Sequence, residues 1–387
     1  MVDRFRDYRD VFISFFFLGL TGFGGPAAHI GYFRTTFVEQ KGWLDDETFG
    51  RFVALSQFLP GPGSSQLGFS IGLHRAGQIG AWLAFIGFTS PSFILMWLLA
   101  SFGLSFLGQD WMQGIIAGLK LLALVVVVDA CVGMYLSFCR DTRHATLAVS
   151  SAVVLLLTSG LIWQLLVLGC AALVGLFGSR RVAQSGHSGA TLSRPEMIPL
   201  VAFVLLFVGS FLSFPTAIFA DFYVAGSLVF GGGHVVLPLL QDTLGAAVNE
   251  DVFLMGYAAA QAVPGPMFTL ASFLGAELDD QAPFLGALVA TIAIFLPGFL
   301  LLLAFQRSWL NLSQHPRAAG VSSAMNAAVV GLLLAVLYDP VFKSAISADW
   351  HVASVLAGIF CLRVLKLNVA ILVALFVSLG LAVSLTG

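Results

Sequence analysis

The chain is predicted to be an all-α polytopic membrane protein built from two inverted-topology repeats. Three observations predict this: little charge, long uncharged runs, and a repeated pattern whose glycine and proline breaks fall at matched places. Of 387 residues, 58% are hydrophobic and 10% charged, whereas a soluble domain carries about a quarter charged residues. No water-facing surface can be made from that composition. Residues 76–109, 145–178, 197–220, 284–305, 318–338 and 367–387 contain no Asp, Glu, Lys or Arg, and each run reaches the roughly 20 residues a spanning helix needs. They do not alternate polar and apolar residues as barrel strands would.

The same composition excludes several functions. A net charge of −2 leaves no basic excess for nucleic acid. Cys131, Cys139, Cys170 and Cys361 have no C-x-x-C spacing, so neither a disulfide framework nor a metal site is indicated, and all four read as small core residues. No cofactor is expected, because iron–sulfur spacing, a Gly-rich dinucleotide fingerprint and a Walker A sequence are all missing. The polar residues in the apolar runs form no acid–base or nucleophile–base set, which argues against an enzyme. The charged start, MVDRFRDYRD, has no cleavage signal after it and reads as the cytoplasmic beginning of the first membrane element.

Sliding the sequence on itself gives a match at an offset of about 205 residues. Gly19 and Phe23-Gly24-Gly25 match Gly226 and Phe230-Gly231-Gly232, while Gln57 and Pro60-Gly61-Pro62 match Gln261 and Pro264-Gly265-Pro266. Further on, Gly80, Ala84 and Pro91 match Gly286, Ala290 and Pro297. Each half reads as an F-G-G segment, a P-G-P segment, a long helix with an internal Pro, another long helix and a final apolar pair. The expected domains are 1–178 as the first repeat, 179–214 as a cytoplasmic loop plus a linking membrane helix, and 215–387 as the second repeat. That odd linking helix would turn the second repeat upside down, an arrangement common in secondary transporters.

Lys and Arg concentrate on the cytoplasmic side of a membrane. With the amino terminus inside, Arg140, Arg143, Arg180, Arg181, Arg194, Arg307, Arg317, Arg363 and Lys366 fall inside and Lys343 outside. If the F-G-G and P-G-P segments cross fully there are 13 spans, and Arg34, Lys41 and Arg51 lie outside. If both dip in and return there are nine, and those three join the inner set. The second version is preferred, since Gly and Pro break helices at both places. Either version puts the carboxyl terminus outside.

Irregular backbone at membrane depth is tolerated only where it is packed in protein or lines a wet cavity. A half-helix that starts after a break offers unpaired N–H groups and a positive dipole end, which together hold an anion without a charged side chain. In the first repeat this nominates Gly24, Gly25 and His29, then Pro60, Gly61, Pro62, Ser64, Ser65 and Gln66. In the second it nominates Gly231, Gly232 and His234, then Pro264, Gly265, Pro266 and Thr269. The candidate amide donors are 27–29, 63–66, 233–235 and 267–269. His29 and His234 are equally suited to capping broken backbone. Lys120 is the one ionisable residue of 114–128 and a candidate counter-charge, with Asn326 at the matching place. Asp129 lies about 13 Å along the helix from Lys120 and cannot neutralise it locally. Asp45, Asp46, Glu47, Glu250 and Asp251 read as solvated interfacial residues.

These motifs resemble the CHR family of chromate ion transporters over nearly the whole chain. The marks are F-G-G-P-A-A-H-I at 23–30, P-G-P at 60–62, G-L-K at 118–120, F-G-G-G-H-V-V-L-P at 230–238, Q-A-V-P-G-P at 261–266 and N-A-A-V-V-G at 326–331. The likeness is to the long-chain form, in which a duplicated unit is fused. It implies export of chromate across the cytoplasmic membrane and chromate resistance, with sulfate as the structural analogue. The expected partners are the oxyanion and the lipid bilayer, and a homodimer is compatible with the architecture. Another oxyanion as cargo, or an anion channel, remains the alternative.

Overall fold

The computed structural model describes residues 2–23, 25–103, 109–158, 160–178, 195–230, 233–309 and 316–386. Among the described residues every regular element is helical.

Helix α1 (Val2–Thr21) stops at Gly22, and α2 (Gly25–Phe33), prolonged by a π-helical turn through Gln40, returns along it. Its direction follows from ring contacts. Phe33 and Phe37 both pack on Phe15, and beyond them Trp43 lies 5.3 Å from the Arg75 guanidinium, which donates to Asp7 at 2.6 Å. The start of α1, the end of the α2 return and residue 75 therefore share one end of the protein. Helix α3 (Asp46–Phe58) sets out from that end, and its first turn is capped by the Asp45 carboxylate, which accepts the Thr48 N–H at 2.7 Å. It runs inward to Pro60-Gly61-Pro62. Helix α4 (Gly63–Leu98) is a hairpin, because Ala76 and Gly77 leave helical geometry. Its arm 63–75 comes back beside α3, with His74 edge-on to Phe52 at 5.8 Å. Its arm 78–98 runs parallel to α1 and is close enough that a Cβ on Gly19 would lie 2.5 Å from the Phe88 carbonyl oxygen. The two arms can touch because Gly72 faces Gly80, and a Cβ on either would strike the other's carbonyl.

Helices α5 (Asp110–Phe138), α6 (Thr142–Leu157) and α7 (Leu161–Gly178) complete the first repeat, and α8 (Met197–Ser210) links it to the second. The second repeat follows the same plan through α9 (Ala217–Leu228), α10 (Val236–Leu244) and α11 (Glu250–Ala262), up to Pro264-Gly265-Pro266. A 3-10 turn at Met267–Thr269 leads to α12 (Leu270–Glu277) and α13 (Pro283–Phe305), then to α14 (Pro316–Val336), α15 (Asp349–Arg363) and α16 (Val369–Thr386). The glycine contacts recur, with Gly226 on Ile294 and Gly275 on Gly286. By length and composition, the helices of 110–138, 283–305 and 317–345 are long and apolar enough to cross a membrane, as is the stretch 63–103 that the hairpin turn at Ala76 and Gly77 divides.

The repeats exchange partners. Helix α5 packs against α15 and α16, whereas α14 packs against α6 and α7. Small residues allow the approach, as between membrane helices generally. A Cβ on Gly114 would lie 2.6 Å from the Gly380 oxygen, and at the pseudo-equivalent place Gly175 meets Gly320.

Three expectations need correction or bounding. The linking helix ends at Ser210, with a turn at 211–213, instead of running to Phe214; at 14 residues it is about 21 Å long. Cys131 and Cys139 are buried as expected, but Cys170 is exposed and Cys361 partly so, because an outward face of a membrane helix is as apolar as its inner one. The loop 179–194 lies outside the described residues.

At Gly118 an added Cβ would meet the Phe376 backbone, and overpacking of this kind typically costs about 1–3 kcal/mol. Gly118→Leu should therefore lower the melting temperature of the detergent-purified protein and part α5 from α16, read by fluorescence-detected gel filtration after heating.

Candidate functional site

The breaks meet at one place, and they meet crosswise. The Gly61 N–H of the first P-G-P donates to the Val229 carbonyl at 2.7 Å, just before the second F-G-G. The Gly265 N–H of the second P-G-P donates to the Gly22 carbonyl at 2.9 Å, just before the first. Val229 and Gly22 hold equivalent positions in the two repeats, so the pair of bonds is itself pseudo-symmetric. Each glycine also abuts the proline-bearing helix of the other repeat. A Cβ on Gly61 would lie 2.9 Å from the Gly298 Cα, and one on Gly265 would lie 2.8 Å from the Ser92 Oγ. With φ of +120° and +104°, both positions favour a residue without a side chain.

Side chains lock the crossing. Gln66 is fully buried and its Nε2 donates to the carbonyls of Pro60 and Gly298, each at 3.0 Å. His29 is buried, with Nε2 3.0 Å from the Gly22 oxygen that also accepts from Gly265. The histidine thus caps the break. Thr269 donates its hydroxyl to Pro266 at 2.8 Å. Ser64 and Ser65 are buried beside them, and the Ser65 hydroxyl has no partner among the described residues.

The supply of free amides is smaller than the sequence suggests. The Gln66 N–H is taken by Pro62 and the Thr269 N–H by Pro266, which leaves Gly63, Ser64 and Ser65 in the first repeat and Met267 and Phe268 in the second. Gly25 opens α2, and Pro60, Pro62, Pro264 and Pro266 flank the crossing glycines. Gly24, Gly231 and Gly232 lie outside the described residues, as does the side chain of His234.

Lys120 is not in this group. The sequence places it as a lone charge, but its ammonium pairs with the Asp251 carboxylate at the start of α11. Asp251 lies 13 residues before Pro264 along α11, about 20 Å at the helical rise. Asp129 pairs instead with Arg363, at 2.6 Å. Asn326 is buried on α14 and its Oδ1 has no donor among the described residues. The carboxylates at the start of α3 are exposed and locally paired, Asp46 with Arg34 and Glu47 with Arg51. The Thr48 backbone N–H holds the Asp45 carboxyl below the usual carboxylate range.

The two repeats differ at one contact. In the second, α11 packs along α5 and is buried from Val252 to Ala260. In the first, α3 makes at most marginal contact with α14 and buries only Phe49, Leu55 and Ser56. A cavity of about 280 Å³ fills that gap, lined by Phe58, Leu59 and Pro60, by Phe230 and by Arg317 and Met325 of α14. Arg317 is exposed and has no ion pair among the described residues. Sequence reading counted it only as an inside charge, because nothing in the pattern ties the start of α14 to Pro60.

A family model described as chromate transporter matches residues 9–176 and 216–382, one match for each repeat. The chain belongs to the chromate transporter family. Its function is therefore chromate transport, and the family is one of transporters. A chromate transport protein of Pseudomonas aeruginosa is 28% identical over 86% of this chain and 80% of its own length. One from Cupriavidus metallidurans is 26% identical over 96% and 92%. An uncharacterised transporter of Bacillus subtilis, 25% identical, matches 43% of this chain with 96% of its own length, so it is the size of one repeat. No solved structure matches the chain.

Substitution at the crossing should be severe. Gly61→Val and Gly265→Val should each abolish chromate flux while the protein still inserts, and flux near wild type at full membrane abundance would remove the P-G-P crossing from the site. For the distant ion pair, Lys120→Ala and Asp251→Ala should have similar effects, and the exchange Lys120→Asp with Asp251→Lys should recover part of the lost flux, measured per mole of protein in vesicles.

Proposed function

We propose that this chain is a secondary transporter that exports chromate from the cytoplasm and so confers chromate resistance. The observation that carries the reading is the crossed meeting of four broken segments beside a gap that only one repeat leaves open. Half-helix amides at 63–65, 267–268 and the start of α2 supply the donors, and the hydroxyls of Ser64 and Ser65 add to them. Chromate is a tetrahedral oxyanion, largely dianionic at neutral pH, and converging helix ends suit it. Gly25, Pro60, Gly61, Pro62, Pro264, Gly265, Pro266, Gln66, His29 and Thr269 shape this site, and Gly24, Gly231, Gly232 and His234 belong to the same breaks by sequence. Lys120 acts at the α5 interface with α11, away from the tips.

The topology we propose has nine crossings. The F-G-G and P-G-P segments re-enter, the repeats are inverted, the amino terminus is cytoplasmic and the carboxyl terminus external. In support, Asp7, Trp43 and Arg75 gather at one end, and Arg34, Lys41, Arg51 and Arg75 are the residues a cytoplasmic face would carry there. The gap between α3 and α14 then opens inward, with Arg317 as the cation that draws the anion toward Pro60. The contact of α11 with α5, pinned by Lys120 and Asp251, closes the outer side. Saturable flux that depends on a counter-ion separates this reading from a channel.

Everted membrane vesicles should accumulate chromate saturably, with sulfate as a competitor, and Arg317→Gln should raise the KM more than it lowers the maximal rate. Uptake linear in chromate concentration would speak for a pore. A cysteine placed at Gln40 in a cysteine-free background should be labelled by an impermeant maleimide in everted vesicles and not in intact cells. Labelling in intact cells would restore 13 crossings.

A further inference from the structure

A second cavity, of about 510 Å³, lies where the end of α6 and α7 meet α10 and the last turns of α14. It plays no part in the crossing. Its polar lining consists chiefly of Thr158, Gln164, Gln241, Asp242, Asp339 and Lys343. Two of the donors are engaged. The Thr158 hydroxyl donates to Val154 at 2.7 Å, and the Lys343 ammonium donates to Asp339 at 2.6 Å.

The acceptors are not satisfied. Gln164 is 4% exposed, its Nε2 donates to the Pro238 carbonyl at 3.3 Å, and its enclosed Oε1 has no donor among the described residues. The Gln241 Oε1 is enclosed and equally without a donor. The Asp242 carboxylate has neither ion pair nor hydrogen-bond partner among the described residues. Buried acceptors without donors are costly. Two enclosed amide oxygens without donors among the described residues, together with the unpaired carboxylate of Asp242 on the same wall, favour a cation here.

We propose that this cavity binds a monovalent metal cation of the sodium type, through the Oε1 atoms of Gln164 and Gln241 and the carboxylate of Asp242. A proton would satisfy Asp242 alone, because an amide oxygen is not protonated at ordinary pH. Divalent ions favour several carboxylates or retained water, whereas Lys343 neutralises Asp339 and leaves one net negative charge here. The feature does not come from the repeat. By the F-G-G alignment, Arg34 and Thr35 stand where the second repeat has Gln241 and Asp242, and Arg34 would repel a cation. Gln164 holds Pro238, three residues after the 3-10 turn that follows the second F-G-G, so an ion there bears on that break. On the topology proposed above, the cavity lies on the external side with Lys343, where entering sodium could be exchanged for departing anion.

Binding is tested without chromate, so its failure is separate from any failure of the transport reading. The full-length protein in detergent is melted in sodium chloride, potassium chloride, magnesium chloride or choline chloride at equal ionic strength. Sodium should raise the midpoint saturably by several degrees over choline, and Asp242→Asn should abolish the rise. Gln164→Leu and Gln241→Leu should each shift its half-saturation at least tenfold, and they carry the test if Asp242→Asn does not fold. Equal midpoints in sodium and choline, a larger response to magnesium than to sodium, or an unchanged sodium response in the folded variants would overturn the proposal.

Discussion

Two backbone hydrogen bonds, Gly61 N–H to Val229 and Gly265 N–H to Gly22, join the repeats at a place where neither is helical. An unpaired amide or carbonyl inside a membrane costs several kcal/mol. The N–H that each P-G-P turn exposes is taken by the carbonyl at the end of the helix before the other repeat's F-G-G, and at Gly22 that carbonyl also lies 3.0 Å from Nε2 of its own repeat's His29. Each supplies what the other lacks. The crossing therefore requires the two halves to stand in a definite relation, and the glycine-lined approach of α1 to the arm 78–98, and of α9 to α13, holds the carbonyls where the crossing needs them.

Partner exchange deeper in the protein serves the same end. Helices α5 and α14 could have packed on the final pair of their own repeat, and they pack on that of the other. The match of a half-length Bacillus subtilis transporter to a single repeat sets this in context. A one-repeat chain with the same breaks has its unsatisfied groups at the same positions, so the chemistry that joins the halves here resides in each repeat and not in the link between them. Helix α8 is short and connects the halves; the crossing binds them.

How much of this was legible follows from how local each signal is. The breaks at 22–25, 60–62, 229–232 and 264–266 were readable because Gly and Pro act on their own backbone, and the order of helices followed from uncharged runs. Re-entry of α2 was only one of two counts, since charge placement alone cannot separate a return from a crossing, and the packing of Phe33 and Phe37 back on Phe15 is a contact that no pattern announces. Asp251 was read as solvated and Lys120 as alone because a sequence names no partner across repeats. The spent amides of Gln66 and Thr269 were invisible for a related reason: whether a first turn closes as α-helix or 3-10 depends on packing beyond it. The gap between α3 and α14 is a departure from the repeat, and a matched pattern can only predict what is matched.

The location of Lys120 bears on how a carrier can both hold and release a dianion. A full cation about 4 Å from a dianion, at an effective dielectric near 20, contributes about 8 kcal/mol of attraction, and a helix end equivalent to half a charge contributes about half of that. A site made of helix ends can be assembled or opened one end at a time as segments shift, whereas a lysine at the tips would stay with the ion in every state. Here the lysine lies one α11 length away and is already neutralised by Asp251. The full charges stand at the margins, Arg317 exposed beside the cavity at Pro60, and the fractional charges stand at the centre. On the reading proposed above, binding at the centre would depend on the geometry of the breaks.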